Sequence, residues 1–218
     1  MIADSTDINS IAITRRKPSQ ARGKQRIETI LQAAAEVFDE LGYDTANTIL
    51  IAKRANTAVG SLYDFFPNKE SIAQVLIERH TNDLAALLDE LVTEDVFKQP
   101  IAQILDQLIE PLVQFISGRA GFRGLYLNAP QVGDMSTPQR MLETMLMGRM
   151  ADLVFQRYPT HDPVEITRIV RSCMAIFKSL SALAIQGTRA DADNIDLVMV
   201  AELKTVLRLY LNKYFGPD

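Results

Sequence analysis

The stretch Thr57-Ala58-Val59-Gly60-Ser61 places small side chains and two hydroxyls where a short helix begins, with Tyr63 and Lys69 following. Small residues let a helix approach the edges and phosphates of a nucleic-acid groove closely. Hydroxyls and a lysine near a helix N-terminus can hold phosphates, but they carry no sequence information. The first turn has no Arg, Asn or Gln to read bases. Ala58 and Val59 can meet thymine methyls, and Asp64 can accept from a cytosine amino group or lie on a solvated face. Lys53 and Arg54, just upstream, can touch a phosphate backbone or pair with nearby acids.

Other chemistries find little to work with. Cys173 is a lone cysteine, which excludes a disulfide framework within the chain and a cysteine-rich zinc module. His80 and His161 are far apart and read as surface or helix-end histidines, so no metal site is expected. No nucleophile–base–acid set, phosphate loop or dinucleotide glycine motif stands out, so no cofactor and no enzyme are expected. No apolar run is long enough to span a membrane. Residues 1–14 carry Asp4 and Asp7 and no basic start before an apolar stretch, which points to a cytoplasmic protein.

The elements that must position these residues are all helical. Ile27, Ile30, Leu31, Ala34, Val37, Phe38 and Leu41 recur on one helical face, and Gly42 suits a left-handed helix end. Pro18 and Gly23 argue against a regular element before about Lys24. Asn47 is a good N-cap for a second helix, reaching Ala55. Asn56-Thr57 is a turn in which Asn tolerates a positive φ, and Ala58–Phe66 is a third helix that Pro67 stops. A helix, a tight turn and a second helix give helix-turn-helix geometry. The rest of the chain reads as longer helices, one of them bent at Pro111, with no competing strand. The expectation is an all-α fold of about nine helices. A flexible extension occupies residues 1–23, a three-helix head 24–70, and a ligand-binding and dimerisation body 71–218.

The head resembles the N-terminal domain of the tetracycline-repressor (TetR) family of transcriptional regulators. The resemblance is carried by Ile30-Leu31-Gln32-Ala33-Ala34, Phe38, Leu41-Gly42-Tyr43, Ile51-Ala52-Lys53-Arg54-Ala55 and Gly60-Ser61-Leu62-Tyr63-Asp64-Phe65-Phe66-Pro67-Asn68-Lys69-Glu70. It implies that Asn47, next to Thr48, caps the second helix beside a phosphate. It also implies that Ser61, Tyr63 and Lys69 grip phosphates, and that Thr57, Ala58, Val59 and Gly60 meet base edges. Asn56 stands where the family usually has Gly. Ala58 stands where it usually has Ser, so Thr57 or Ser61 must compensate for the missing hydroxyl.

Charge fits this assignment once it is divided along the chain. The net charge of −4 excludes a histone-like binder. Residues 1–80 carry ten basic and ten acidic side chains, while Arg15, Arg16, Lys17, Arg22, Lys24 and Arg26 form a basic arm without an acid. Such an arm is either a disordered tail or a segment lying along double-stranded DNA.

In the body, Ile166 to Leu183 and Ile195 to Leu211 are apolar over so much of the helix that each must bury two faces. The resemblance implies a homodimer through these last two helices, which fits a pseudo-palindromic operator. Phe115, Phe122, Tyr126, Met141, Met145, Phe155, Met174 and Phe177 are either ordinary core or the lining of an adaptable apolar pocket. The resemblance implies a pocket for a small apolar ligand there, with Arg123, Arg149, Lys178 or Gln186 as possible polar anchors. Cys173 reads as a small core residue. The function expected is a ligand-responsive, sequence-specific DNA-binding regulator, most simply a repressor. The alternatives are a helical dimeric interaction module and a small-molecule enzyme.

Overall fold

The computed structural model describes residues 20–127, 137–185 and 195–216. Arg15, Arg16, Lys17 and Gln186 lie outside the described residues, and the side chain of Met141 is likewise outside the description. Among the described residues there are nine α-helices, one π-turn and no strand beyond an isolated bridge between Ile185 and Ile195.

The head is built by local signals. Helix α1 spans Gln20–Thr45 and buries Ile27, Ile30, Leu31, Ala34, Val37 and Phe38. It starts before Lys24 because Gly23 lies inside it, buried and helical, so Arg22 and Lys24 stand exposed on a helix rather than in an extension. Gly42 breaks it with φ 75° and ψ 160°, a conformation open essentially to glycine alone rather than the left-handed helical one. The break leaves Leu41 44% exposed and turns Tyr43 inward against Phe38 instead, with ring centroids 5.6 Å apart.

Helix α2 (Thr48–Arg54) is capped by Asn47, whose side chain accepts from the Leu50 amide at 3.0 Å. It ends on a doubly bonded cap. Asn56 takes φ 48°, its amide donates to Lys53 O at 3.2 Å, and the Thr57 amide donates to Ala52 O at 3.0 Å. Helix α3 (Val59–Tyr63) follows at once and buries Leu62. It is shorter than the sequence pattern suggests, ending before Phe65 and Phe66.

Helix α4 (Lys69–Leu91), capped by Asn68, runs from the head into the body. There α5 (Glu94–Phe97), a short turn that periodicity does not foretell, leads into α6 (Ile101–Gly118), which carries Pro111. The π-turn Arg123–Leu127 comes next, then α7 (Thr137–Arg157), α8 (Pro163–Ala184) and α9 (Leu197–Phe215). Asp162 and Asp196 cap the last two. Helix α9 packs on α6 and α8, α7 bridges α4 and α8, and the π-turn packs on α1 and α8.

The head is joined to the body at two places. Arg79 of α4 makes a two-pronged ion pair with Glu28 of α1, at 2.7 and 2.6 Å. Asp39 of α1 accepts from the amides of Gly121 at 2.7 Å and Gly124 at 2.9 Å, which fastens the π-turn to the head helix.

Candidate nucleic-acid interface and ligand site

The start of α3 is unobstructed. Ala58 occupies its N-cap position and makes no side-chain cap hydrogen bond. Ala58, Gly60, Tyr63 and Asp64 are exposed, while Thr57, Val59 and Ser61 are half-buried. A Cβ on Gly60 would meet nothing within 4 Å. Glycine inside a helix costs about 0.5–1 kcal/mol relative to alanine. No contact among the described residues requires it at this position.

Beside α3, the Thr48 hydroxyl and the Tyr63 hydroxyl lie 2.9 Å apart, which ties the first residue of α2 to the last of α3 and presents two hydroxyls together. Lys53 is exposed. Arg54 turns the other way, toward α1. It bonds Glu40 at 2.8 and 2.6 Å and Glu36 at 3.4 Å, and this pairing holds the Glu40 carboxyl below its ordinary range. Of the two roles open to Arg54 from sequence, acid pairing is the one observed.

Lys69 has a place that sequence reasoning missed. Its Nζ donates to the carbonyls of Tyr43 at 2.8 Å, Asp44 at 3.1 Å and Ala46 at 3.0 Å, and sits 4.5 Å from the centre of the Tyr43 ring. An ammonium has three protons, and all three are engaged in fixing the corner between α1 and α2. The Tyr43 hydroxyl donates in turn to Glu70 at 3.2 Å.

In the body, the seven expected pocket residues whose side chains are described divide between an aromatic core and its margin. Phe115, Phe122 and Tyr126 are buried and pack edge to face, at 5.7 and 5.4 Å between centroids. Met145, Met174 and Phe177 are half-buried against the core, and Phe155 is 40% exposed. A cavity of about 140 Å³ lies elsewhere, at the end of the body away from the head, lined by Val96, Ile104, Leu108, Leu153, Tyr158 and Phe215 among others. None of the seven described residues lines it. Apolar composition does not distinguish a filled core from a hollow one, and the short α5 that supplies Val96 left no periodic signal.

His80 is a correction to the surface reading. It is 8% exposed, its ring lies 5.3 Å from Phe122, and burial brings its pKa down to about 4. Helix α4 crosses the core at this point, so a residue on its inner face has no solvent to reach. His161 is half-buried among Tyr158 and Phe215. Burial pushes the Cys173 thiol up to about 12, which suits an inert core residue rather than a reactive one.

The structure also separates the candidate polar anchors. Arg149 pairs with Asp89, and Arg123 is half-buried. Lys178 is only 3% exposed, with its Nζ 5.3 Å from the centre of the Tyr126 ring. One turn further along α8, Ser181 is fully buried. The Oγ of Ser181 and Oε2 of Glu143, on α7, are buried and have no hydrogen-bond partner among the described residues. Burial lowers the pKa of Lys178 while the nearby Glu143 carboxylate raises it, and burial together with Glu143 raises that of Tyr126.

Both halves of the chain match known families. Residues 30–76 match the family model of bacterial regulatory proteins of the tetR family, and residues 100–211 match the tetracyclin repressor-like C-terminal domain. The A-factor receptor protein of Streptomyces griseus is 32% identical over 190 residues, covering 82% of this chain and 60% of that protein. The chain therefore spans less than two thirds of that relative's length. The HTH-type transcriptional regulator UidR of Escherichia coli K12 is 30% identical over 184 residues, covering 82% of this chain and 87% of UidR. Full-length native TylP, a TetR regulator from Streptomyces fradiae, has a solved structure similar to this one, with TM-score 0.56 and 27% identity over 87% of each chain. With the C-terminal model matching over half of the sequence and the N-terminal model matching the helix-turn-helix, the chain belongs to the TetR family of bacterial regulatory proteins.

Proposed function

We propose that this protein is a cytoplasmic, ligand-responsive, sequence-specific regulator of transcription. It acts as a homodimeric repressor released from a pseudo-palindromic operator by a small, largely apolar molecule. Gly60 carries the DNA-binding part of this reading. An exposed helical glycine with open space around it serves a close approach from outside, and a DNA groove is what the first turn of such a helix meets. Thr57, Ala58, Val59 and Gly60 face base edges. Asn47, Thr48, Ser61 and Tyr63 hold phosphates at the two helix starts, and the basic arm Arg15, Arg16, Lys17, Arg22 and Lys24 adds non-specific attraction. Lys69 serves the same surface indirectly, by fixing the corner from which α2 departs.

Dimerisation is supported by the apolar side chains that α8 and α9 leave exposed, Leu183, Val206 and Leu209 among them. Control by ligand is supported by the π-turn, which carries Tyr126 on the body side and is fastened to α1 through Asp39. A ligand that shifts this turn changes the population of head positions able to fit successive major grooves. The names of relatives, a receptor protein and a transcriptional regulator, agree with the reading. Sequencing the DNA fragments that the protein captures from its own genome tests it. Enrichment of a pseudo-palindrome with half-sites about one helical turn apart is expected, and capture without sequence preference would overturn it.

A further inference from the structure

In the body, the Lys178 ammonium lies 5.3 Å from the centre of the Tyr126 ring, Glu143 is near enough to act on the charge of both, and Ser181 stands one turn beyond Lys178. Tyr126 belongs to the π-turn, Glu143 to α7, and Lys178 and Ser181 to α8. Tyr126, Lys178 and Ser181 are each more than nine-tenths buried, in surroundings that are otherwise apolar. Buried polar atoms are nearly always hydrogen-bonded, and leaving one unpaired costs about 1–3 kcal/mol. Here two have no partner among the described residues, Ser181 Oγ and Glu143 Oε2, on the helices that carry and face a buried ammonium lying over an aromatic ring. An apolar core would lack this cost, so these groups are kept for something that pairs with them.

We propose that these four residues form the polar end of the inducer site, and that they select an uncharged molecule carrying both a hydrogen-bond acceptor and a hydroxyl, such as a hydroxyketone with alkyl arms. The inference rests on the ligand-responsive reading above and specifies its ligand. Charge decides the class. A carboxylate or phosphate head would gain Lys178 but meet the Glu143 carboxylate in a medium where like charges repel strongly. An ammonium would meet Lys178 in the same way. A neutral carbonyl accepts from the Lys178 ammonium, and an adjacent hydroxyl donates to Glu143 Oε2, with the Ser181 hydroxyl able to serve either. The half-buried Met174 and Phe177, on the same helix, can flank the alkyl part. Occupancy would also bear directly on the π-turn through Tyr126.

The test uses the full-length protein and three matched eight-carbon probes: butyroin (a neutral hydroxyketone), octanoate and octylammonium. Binding is read by shift in melting temperature and by calorimetry. Butyroin is expected to bind at least about tenfold more tightly than either charged probe. Lys178→Met and Ser181→Ala should each weaken butyroin, the first by roughly tenfold and the second by roughly threefold. If Lys178→Met does not fold, Ser181→Ala carries the test alone. Glu143→Gln should invert the ranking by removing the repulsion, so that octanoate gains and overtakes butyroin. No butyroin binding at millimolar concentration, a wild-type preference for octanoate or octylammonium, or an unchanged ranking in Glu143→Gln would each overturn the proposal. DNA capture by the same preparation separates the two readings. Absence of specific DNA binding overturns the regulator, while Lys178-dependent butyroin binding would still support the site.

Discussion

A Cβ built on Gly124 would stand 1.9 Å from the carbonyl oxygen of Phe38, so the π-turn and α1 touch backbone to backbone. Asp39, the next residue on α1, holds the turn there through two amides. The head and the body therefore meet at a joint with no room for adjustment. Gly124→Ala must move one backbone against the other, and a loss of about 2 kcal/mol or more is expected, the usual cost of overpacking a tight contact. Urea unfolding measures it. An unchanged midpoint would mean that the joint yields freely and cannot transmit a shift of the π-turn to the head.

Lys69 offers a distinction between holding DNA and holding the protein. With its ammonium fully engaged by Tyr43, Asp44 and Ala46, Lys69→Met should lower operator affinity while leaving the slope of affinity against salt unchanged. A direct phosphate contact would instead flatten the logarithmic slope by about one. Fluorescence anisotropy across a salt series separates the two.

Gly60→Ala should move stability and binding in opposite directions. The head gains roughly 0.5–1 kcal/mol, because alanine restricts the unfolded chain and meets nothing in the fold. Operator affinity falls by roughly tenfold or more as the methyl blocks the groove. Thermal unfolding and a gel-shift titration check the pair, and a variant that is more stable and binds equally well would remove Gly60 from the interface.

His80 ties stability to pH. Desolvation holds its pKa at about 4 against an ordinary 6.5, opposed by its bond to the Ala120 backbone and by Asp83, and reinforced by Arg119 and Arg79. The neutral ring is the one the fold accepts. Stability is thus complete above about pH 6.5 and declines as pH falls toward 4, by up to about 3 kcal/mol. His80→Gln removes the titrating group while keeping a donor. Its melting temperature should fall less steeply than the wild type's between these two pH values, and parallel curves would refute the assignment.

Val206 and Leu209 lie three residues apart on α9 and are both exposed. Leu209→Glu places a charge in the expected dimer interface and should give a monomer at micromolar concentration by light scattering, with operator binding weakened accordingly. A wild-type monomer, or a Leu209→Glu variant that remains dimeric, would place any interface elsewhere.

Most of the head was legible because its instructions are local. Asn47 reaches an amide three residues on, Asn56 needs only its own φ, and Gly42 breaks α1 by its own conformation. The long helices of the body followed from periodicity in the same way. Periodicity could not say that Gly23 would sit inside α1, nor foresee so short a turn as α5.

What remained open in sequence is what depends on partners far along the chain. Lys69 meets carbonyls more than twenty residues earlier, and Arg54 pairs with Glu40, fourteen residues earlier on α1. His80 becomes a core residue because Phe122 lies over it. The sequence by itself determined an all-helical chain with a helix-turn-helix head, since caps, turns and apolar faces act within a few residues of one another. Only the tertiary structure decided which polar groups are buried near one another, bringing Glu143 on α7 within electrostatic reach of Lys178 on α8, because burial is a property of packing and not of spacing.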